Sequence, residues 1–463
     1  MSTVAGLLDE APRSRFHRRA VVVSGMGFFT DAYDLFVIST VATLVKSQWH
    51  LSTTETSWVT GAAILGAVLG AFVFGRLADI FGRKTVYVTV ASVMIVGALG
   101  SALAPSAAWL IVARVVLGLG VGGDYPVSAV LMSEYANRAD RGRMVSLVFS
   151  MQALGLIVGP LVGLVLLSSG LSSQIVWRIL LGVGVIPAAS VIVLRARMPE
   201  SPRFVASVQG DTALALAHLR DFSEGTVTSE SVAPNSPERL SIRAFLRDRR
   251  MIRLLVATAG SWFLFDYAYY GNTLSLPQIL KEVDPTASLE AKLAWSLLLF
   301  VLFALPGYGL AIVRMDRIGH RRLQYLGFAV MAGCFGLLAL APPLVTHVAP
   351  FLAIFGVSYF FVEFGPNTTT FVLPSELFPV SQRTTGHGVA AGVGKLGAFL
   401  GVFLVPILQN HWGLRGMLAM AAVASLGGLW LTRALPEPAG QPLDEVSPVT
   451  KEAPKPVSDI KLS

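Results

Sequence analysis

The stretch LLVATAGSWFLFDYAYYGNTLSLP, residues 254–277, sets a carboxylate in the middle of an otherwise apolar run. An Asp at the centre of a membrane-crossing helix costs about 3 kcal/mol on insertion scales, so Asp266 is expected to face a partner or a water-filled cavity rather than lipid. Trp262, Asp266 and Tyr270 fall at i, i+4 and i+8, which lines an indole N–H, a carboxylate and a phenol along one helical stripe. Further polar groups interrupt other apolar runs. Asp31 and Asp34 share a helical face in GFFTDAYDLFVI. Asp124 and Tyr125 follow a glycine-rich bend in GGDYPVSAVLMSE, Gln152 sits in SLVFSMQALGLIVGP, Asn367 follows a Gly-Pro break in FVEFGPNTTTFVLP, and Lys395 lies in AAGVGKLGAFLG. Singly, each reads as an interhelical hydrogen bond. Together they offer carboxylates, one ammonium and several uncharged donors, a set suited to an anion that still carries hydrogens.

The elements that must position these groups are membrane helices. Hydrophobic residues make up 54% of the 463 and charged residues only 14%, with a mean hydropathy of +0.65; soluble domains carry about a quarter charged residues. The chain is therefore read as an all-α membrane protein with twelve transmembrane helices, near 20–45, 57–75, 85–104, 107–132, 144–168, 176–195, 253–280, 293–313, 323–341, 347–373, 385–409 and 414–433. A cytoplasmic N-terminal segment (1–19) precedes a six-helix half (20–195), a central loop (196–252), a second six-helix half (253–435) and a tail from 436 to 463 whose Pro, Lys and Glu read as disordered. The central loop, with Arg195, Arg197 and Arg203 at its start, is expected to hold interfacial helices on an anionic leaflet. Gly155, Gly159 and Gly163 read as a close-packing stripe.

Basic residues set the sidedness. Arg13, Arg15, Arg18 and Arg19, then Arg76, Arg83 and Lys84, then Arg138, Arg141 and Arg143, then Arg314, Arg317, Arg321 and Arg322 all fall on one side. Both termini are accordingly predicted cytoplasmic, in a multi-pass cell-membrane protein. The net charge of +8 has the same origin and is no nucleic-acid signature. The single cysteine, Cys334, excludes an internal disulfide or a cysteine metal site, and the seven histidines never stand at ligand spacing, so no metal or cofactor is expected. No cleavable signal peptide is expected either, because residues 1–19 are polar and the first apolar run is long enough to stay in the bilayer.

The halves echo each other. GRLADIFGRK at 75–84 and RMDRIGHRR at 314–322 share an Asp, a Gly three residues on, then basic residues; SEYANRADRG at 133–142 and SELFPVSQRTTG at 375–386 share Ser-Glu followed by Arg and Gly. Two features recurring in order half a chain apart indicate duplicated halves. Asp79, Arg83, Glu134, Arg141, Asp316, Glu376 and Arg383 are the expected gating ion pairs, latching the halves while the cavity faces outward.

On the Asp-x-x-Gly-Arg-Lys loop, Arg114-x-x-x-Gly118-x-Gly120-x-Gly122 and PESPRF at 199–204, the chain resembles the major facilitator superfamily. GFFTDAYDLF, GGDYP, the Trp262-Asp266-Tyr270 stripe, FGPNTTTF and GVGKLG extend the resemblance to its phosphate:proton symporter family. The resemblance implies that Tyr125, Gln152, Trp262, Asp266, Tyr270, Asn367 and Lys395 surround inorganic phosphate, and that Asp31, Asp34 and Asp124, with Asp266, carry protons. Glu363, four residues before Asn367, departs from the pattern where a neutral residue is expected.

The chemistry is consistent with that reading. Dihydrogen phosphate offers hydrogens that a carboxylate accepts, which a fully deprotonated anion cannot do, and Lys395 supplies a countercharge. A carboxylate beside an anion repels it until it is protonated, so proton and anion favour each other's binding. The partners expected are phosphate, protons and the bilayer, with the chain as a monomer. A proton-coupled sugar, polyol or organophosphate transporter, allowed by PESPR, is the nearest alternative, and a transporter-like phosphate sensor is another. An enzyme is disfavoured, because no nucleophile-base pair or nucleotide loop appears and GLGVGGDYP lacks the Gly-Lys-Ser/Thr end of a phosphate-cradling loop.

Overall fold

The computed structural model describes residues 3–223 and 242–446, and the regular elements among them are all helical. A short helix α1 (Val4–Glu10) precedes the first half, which comprises α2 (Arg15–Trp49), α3 (Thr53–Phe81), α4 (Arg83–Ala102), α5 (Ala107–Tyr135), a fifth span broken into α6 (Arg141–Ser150) and α7 (Gln152–Ser168), and a sixth broken into α8 (Ser173–Val183) and α9 (Val185–Ala196). The connection carries α10 (Pro202–Phe204), α11 (Thr212–Phe222) and α12 (Ile242–Phe245). The second half contains α13 (Arg249–Leu274) with its extension α14 (Leu276–Val283), α15 (Leu289–Leu299) and α16 (Leu305–Ile318) as one span, α17 (His320–Leu340), and α18 (Val348–Phe364) with α19 (Pro366–Leu377) as another. It closes with α20 (Arg383–Thr432), followed by a short α21 (Leu443–Val446). Helix α20 contains two spans, because Gly413 leaves helical geometry at φ +67°, a region that favours glycine.

Eleven of the twelve spans are long and apolar enough to cross a membrane by composition alone. The twelfth, α13, carries Ser261, Trp262, Asp266 and three tyrosines through its middle, and that polar stripe lowers its hydropathy.

Small residues let the helices approach. A side chain at Gly118 or Gly122 on α5 would overlap the Ala63 or Ala67 carbonyl of α3, and one at Gly397 or Gly401 on α20 would overlap the Phe263 or Tyr267 carbonyl of α13. That second contact brings Lys395 within reach of Asp266. The proposed stripe on α7 is corrected: only Gly155 is pressed against α2, whereas a methyl group at Gly159 would meet no atom within 4 Å and one at Gly163 would make only ordinary contacts.

Two other expectations change. The tail does not lose structure at residue 436, because Glu437 accepts from the backbone N–H groups of His320 (2.9 Å) and Arg321 (3.0 Å), and Leu443 and Val446 are buried; residues 447–463 lie outside the described residues. Arg195 and Arg203 do not lie on a leaflet. Both are buried: Arg203 donates to Asp9 of α1 at 2.7 Å, and Arg195 turns into the first half. Helices α1 and α11 pack together through Val4, Leu8, Ala215 and Leu219.

Candidate functional site

At the centre of the bundle, Lys395 Nζ donates to Asp266 Oδ2 (3.0 Å) and to Tyr270 Oη (2.9 Å), and lies 4.5 Å from the Tyr125 ring centroid. From there hydrogen bonds run across the two halves. Tyr270 Oη is 3.4 Å from Tyr125 Oη, which accepts from Gln152 Nε2 at 2.8 Å; Gln152 Oε1 accepts from Tyr308 Oη at 3.4 Å, and Tyr308 Oη accepts from Asn367 Nδ2 at 2.8 Å. The chain ends at Glu363, whose carboxylate accepts from Asn367 Nδ2 and from Tyr269 Oη (3.1 Å). All of these side chains are buried. A buried ammonium against a buried carboxylate leaves the Lys395–Asp266 pair itself near neutral, as burial demands. Asp266 Oδ1 has no hydrogen-bond partner among the described residues.

Aromatic rings bound this cluster on both sides. Phe36 stacks on Tyr270 (5.7 Å between centroids) on the side away from the arginine-rich loops. Towards those loops Phe149 of one half stacks on Phe371 of the other at 4.4 Å, and Phe28, Trp262 and His387 pack around Phe371. Beyond Phe36 a cavity of about 900 Å³ opens at the end opposite the basic loops, lined in part by Lys46, Lys281, Lys292 and Glu282.

The candidate proton carriers differ in their surroundings. Asp31 is fully buried, and neither of its oxygens is hydrogen-bonded among the described residues. Asp34 lies 4.0 Å from Arg114, which spends its short contact (2.6 Å) on the Asp34 carbonyl. Asp124 is held by Arg195 through two contacts of 2.8 and 3.0 Å, with the guanidinium 4.0 Å above the Tyr87 ring. A side chain at Gly27 would collide with this pair, so glycine there makes its room. Asp124 thus has a fixed countercharge that sequence reading missed.

The basic end is closed by contacts between the halves. Asp79 Oδ2 accepts from Thr385 N (2.7 Å) and Oγ1 (2.6 Å) at the start of α20, and Asp316 Oδ2 accepts from Arg143 N (2.8 Å) at the start of α6. Each half thereby puts a carboxylate on a helix N-terminus of the other, where backbone N–H groups lack partners. Glu134 joins Arg83 (3.2 Å) to Arg383 (3.3 Å), and Glu376 lies 3.4 Å from His320. Three of the expected gating residues pair outside that set: Arg141 with Asp9 (2.7 Å) and the Gln441 carbonyl (3.0 Å), and Asp316 (3.3 Å) and Glu376 with His320. Sequence reading also missed Glu200 and Glu437, which stand after the sixth and twelfth spans. They accept from Lys84 N (3.2 Å) and His320 N (2.9 Å) at the equivalent helix starts. Outside the spans, burial pushes the Glu200 carboxyl above the usual range, while the Arg13 guanidinium beside Asp140 holds that carboxyl below it.

The profile of the family described as "Sugar (and other) transporter" matches residues 20–449. "Inorganic phosphate transporter 1-11" of Oryza sativa subsp. japonica is 32% identical, over 96% of this chain and 90% of its own length. "Low affinity inorganic phosphate transporter 4" of Petunia hybrida is 33% identical, over 96% and 94%. The chain belongs to the inorganic phosphate transporter family of the major facilitator superfamily. Among solved structures, the proton:xylose symporter XylE bound to 6-bromo-6-deoxy-D-glucose superposes with a TM-score of 0.77, over 94% of this chain and 99% of that one, at 21% identity. That likeness establishes the major facilitator fold, with its two six-helix halves. Within this phosphate transporter family fold, the cluster around Lys395 lies between the halves, with α5, α7, α13, α16, α19 and α20 each contributing a side chain.

Proposed function

We propose that this protein is a proton-coupled secondary transporter that imports inorganic phosphate by alternating access. The observation that carries the reading is the 3.0 Å contact between Lys395 and Asp266 at the head of a chain of uncharged donors drawn from both halves. The relatives' names supply the substrate class. An arriving phosphate inserts between ammonium and carboxylate: Lys395 offsets the anion's charge, while Tyr125, Gln152, Trp262, Tyr270 and Asn367 donate to its bare oxygens. Asp266, released from Lys395, accepts or shares a hydrogen of the anion, which links occupancy to protonation. Asp31 and Asp34 extend the proton route, and Asp124 acts with Arg195.

Rocking of residues 1–195 against 253–435 about this midplane site exposes it alternately. Both termini are assigned to the cytoplasm, so the open cavity with its three lysines faces outward and draws anions in. The pairs at the basic end then hold the cytoplasmic side shut. Radiolabelled phosphate uptake into proteoliposomes, with and without an imposed pH gradient and with sulfate and glucose as controls, tests the reading. Uptake should be driven by inward-directed protons and resist both competitors; competition by glucose would transfer the assignment to the sugar alternative, and binding without flux would favour a sensor.

A further inference from the structure

Glu363 is a buried acid that the scheme above leaves idle. It is wholly inaccessible, and no cation is paired with it among the described residues. Its titratable neighbours are Tyr269 on α13, Tyr308 on α16 and Tyr359 one turn away on α18, all phenols, and Asn367 on α19 completes its shell. Gly307 on α16 makes its room, since a Cβ there would stand 3.0 Å from the Glu363 Cβ. An ionised carboxylate in such a place keeps an unbalanced charge out of water, which costs several kcal/mol; taking up a proton removes that cost. Asp266, by contrast, has Lys395 beside it.

The hydrogen-bond chain from Glu363 through Asn367, Tyr308, Gln152, Tyr125 and Tyr270 reaches Lys395, so both acids belong to one polar cluster. Access from the open side is short. Tyr359 donates to Thr273 (2.6 Å), and Thr273 lines a cleft of about 20 Å³ that shares Ser39 and Pro277 with the large cavity.

We infer that Glu363 is a second proton-loading residue of the substrate site: it takes up a proton from the open side when the anion binds and gives it up on the other side, so each cycle carries one proton more than the Asp266 machinery alone would move. The inference rests on the phosphate-transport reading. The loaded acid is neutral, and Gln at this position mimics it in charge and hydrogen bonding.

The test is calorimetric titration of the purified full-length protein with inorganic phosphate in two buffers of different ionisation enthalpy, which counts protons taken up per phosphate bound, for wild type and Glu363→Gln. The variant should still bind phosphate, take up fewer protons, approaching one less per phosphate, and show a flatter rise of Kd with pH, by as much as tenfold per pH unit. Proton uptake and pH profile identical to wild type would overturn the inference. So would loss of binding in Glu363→Gln, because the neutral form is the one said to hold the anion. A wild-type protein that binds no phosphate would instead sink the transport reading itself.

Discussion

Lys395→Met and Asp266→Asn perturb the two sides of one 3.0 Å contact, and they should move phosphate affinity in opposite directions. An anion oxygen about 4 Å from the Lys395 ammonium, at an effective dielectric of about 20, gains ~4 kcal/mol. At ~1.4 kcal/mol per decade that is roughly a thousandfold in Kd. Removing the charge with an unbranched apolar side chain should therefore weaken binding by two to three decades, roughly, after partial compensation by the tyrosine and amide donors. Asp266→Asn leaves the ammonium without its carboxylate. Phosphate should then bind at least as tightly, most visibly at alkaline pH where the wild-type carboxylate repels it. The same variant cannot load the proton that Asp266 carries, so accumulation driven by a pH gradient should fall sharply, to what the remaining proton sites support, while exchange of internal for external phosphate persists. Titration calorimetry reads the first pair of effects and proteoliposome uptake the second. Unchanged Kd in Lys395→Met, or gradient-driven accumulation undiminished in Asp266→Asn, would refute the reasoning.

Other outcomes follow from the packing. Glu134→Gln removes the carboxylate between Arg83 and Arg383; Arg83 keeps Asp79 at 3.2 Å, but the buried Arg383 guanidinium loses its carboxylate. The closed basic end should lose about 3 kcal/mol, read as faster alkylation of a cysteine placed at Phe371 in a Cys334→Ser background. Arg195→Met should destabilise the fold by about 3–5 kcal/mol by stranding Asp124, and adding Asp124→Asn should restore most of the loss in thermal unfolding. Gly122→Ala should lower thermal stability by about 1–3 kcal/mol because its methyl meets the Ala67 carbonyl, whereas Gly159→Ala, with open space around it, should be neutral or slightly stabilising.

The spans and the Trp262-Asp266-Tyr270 stripe were legible because hydropathy and the 3.6-residue period act on neighbouring residues. Lys395 was legible as a buried charge, though its partner was not, since that depends on how closely α20 lies against α13 at Gly397 and Gly401. Arg195 was misread for a physical reason. An arginine at the end of an apolar run is where a leaflet-facing charge belongs, and only the packing of α9 against α2 and α4 turns it inward to Asp124. Glu437 was hidden by its Pro-rich surroundings, although Pro436-Glu437 repeats Pro199-Glu200 at the matching place in the first half. The glycines of α7 show the converse: spacing identified a face without revealing whether a neighbour stood against it.

The exchange of Asp79 and Asp316 between halves has a consequence for descent. Each acid reaches the third backbone N–H of a helix on the opposite side, Thr385 in one case and Arg143 in the other. Reciprocal contacts of that kind are what a two-fold dimer makes when residue i touches j and j touches i. A six-helix ancestor could have formed both at once with its own copy, so fusion into a single polypeptide would have inherited a finished seam instead of inventing one.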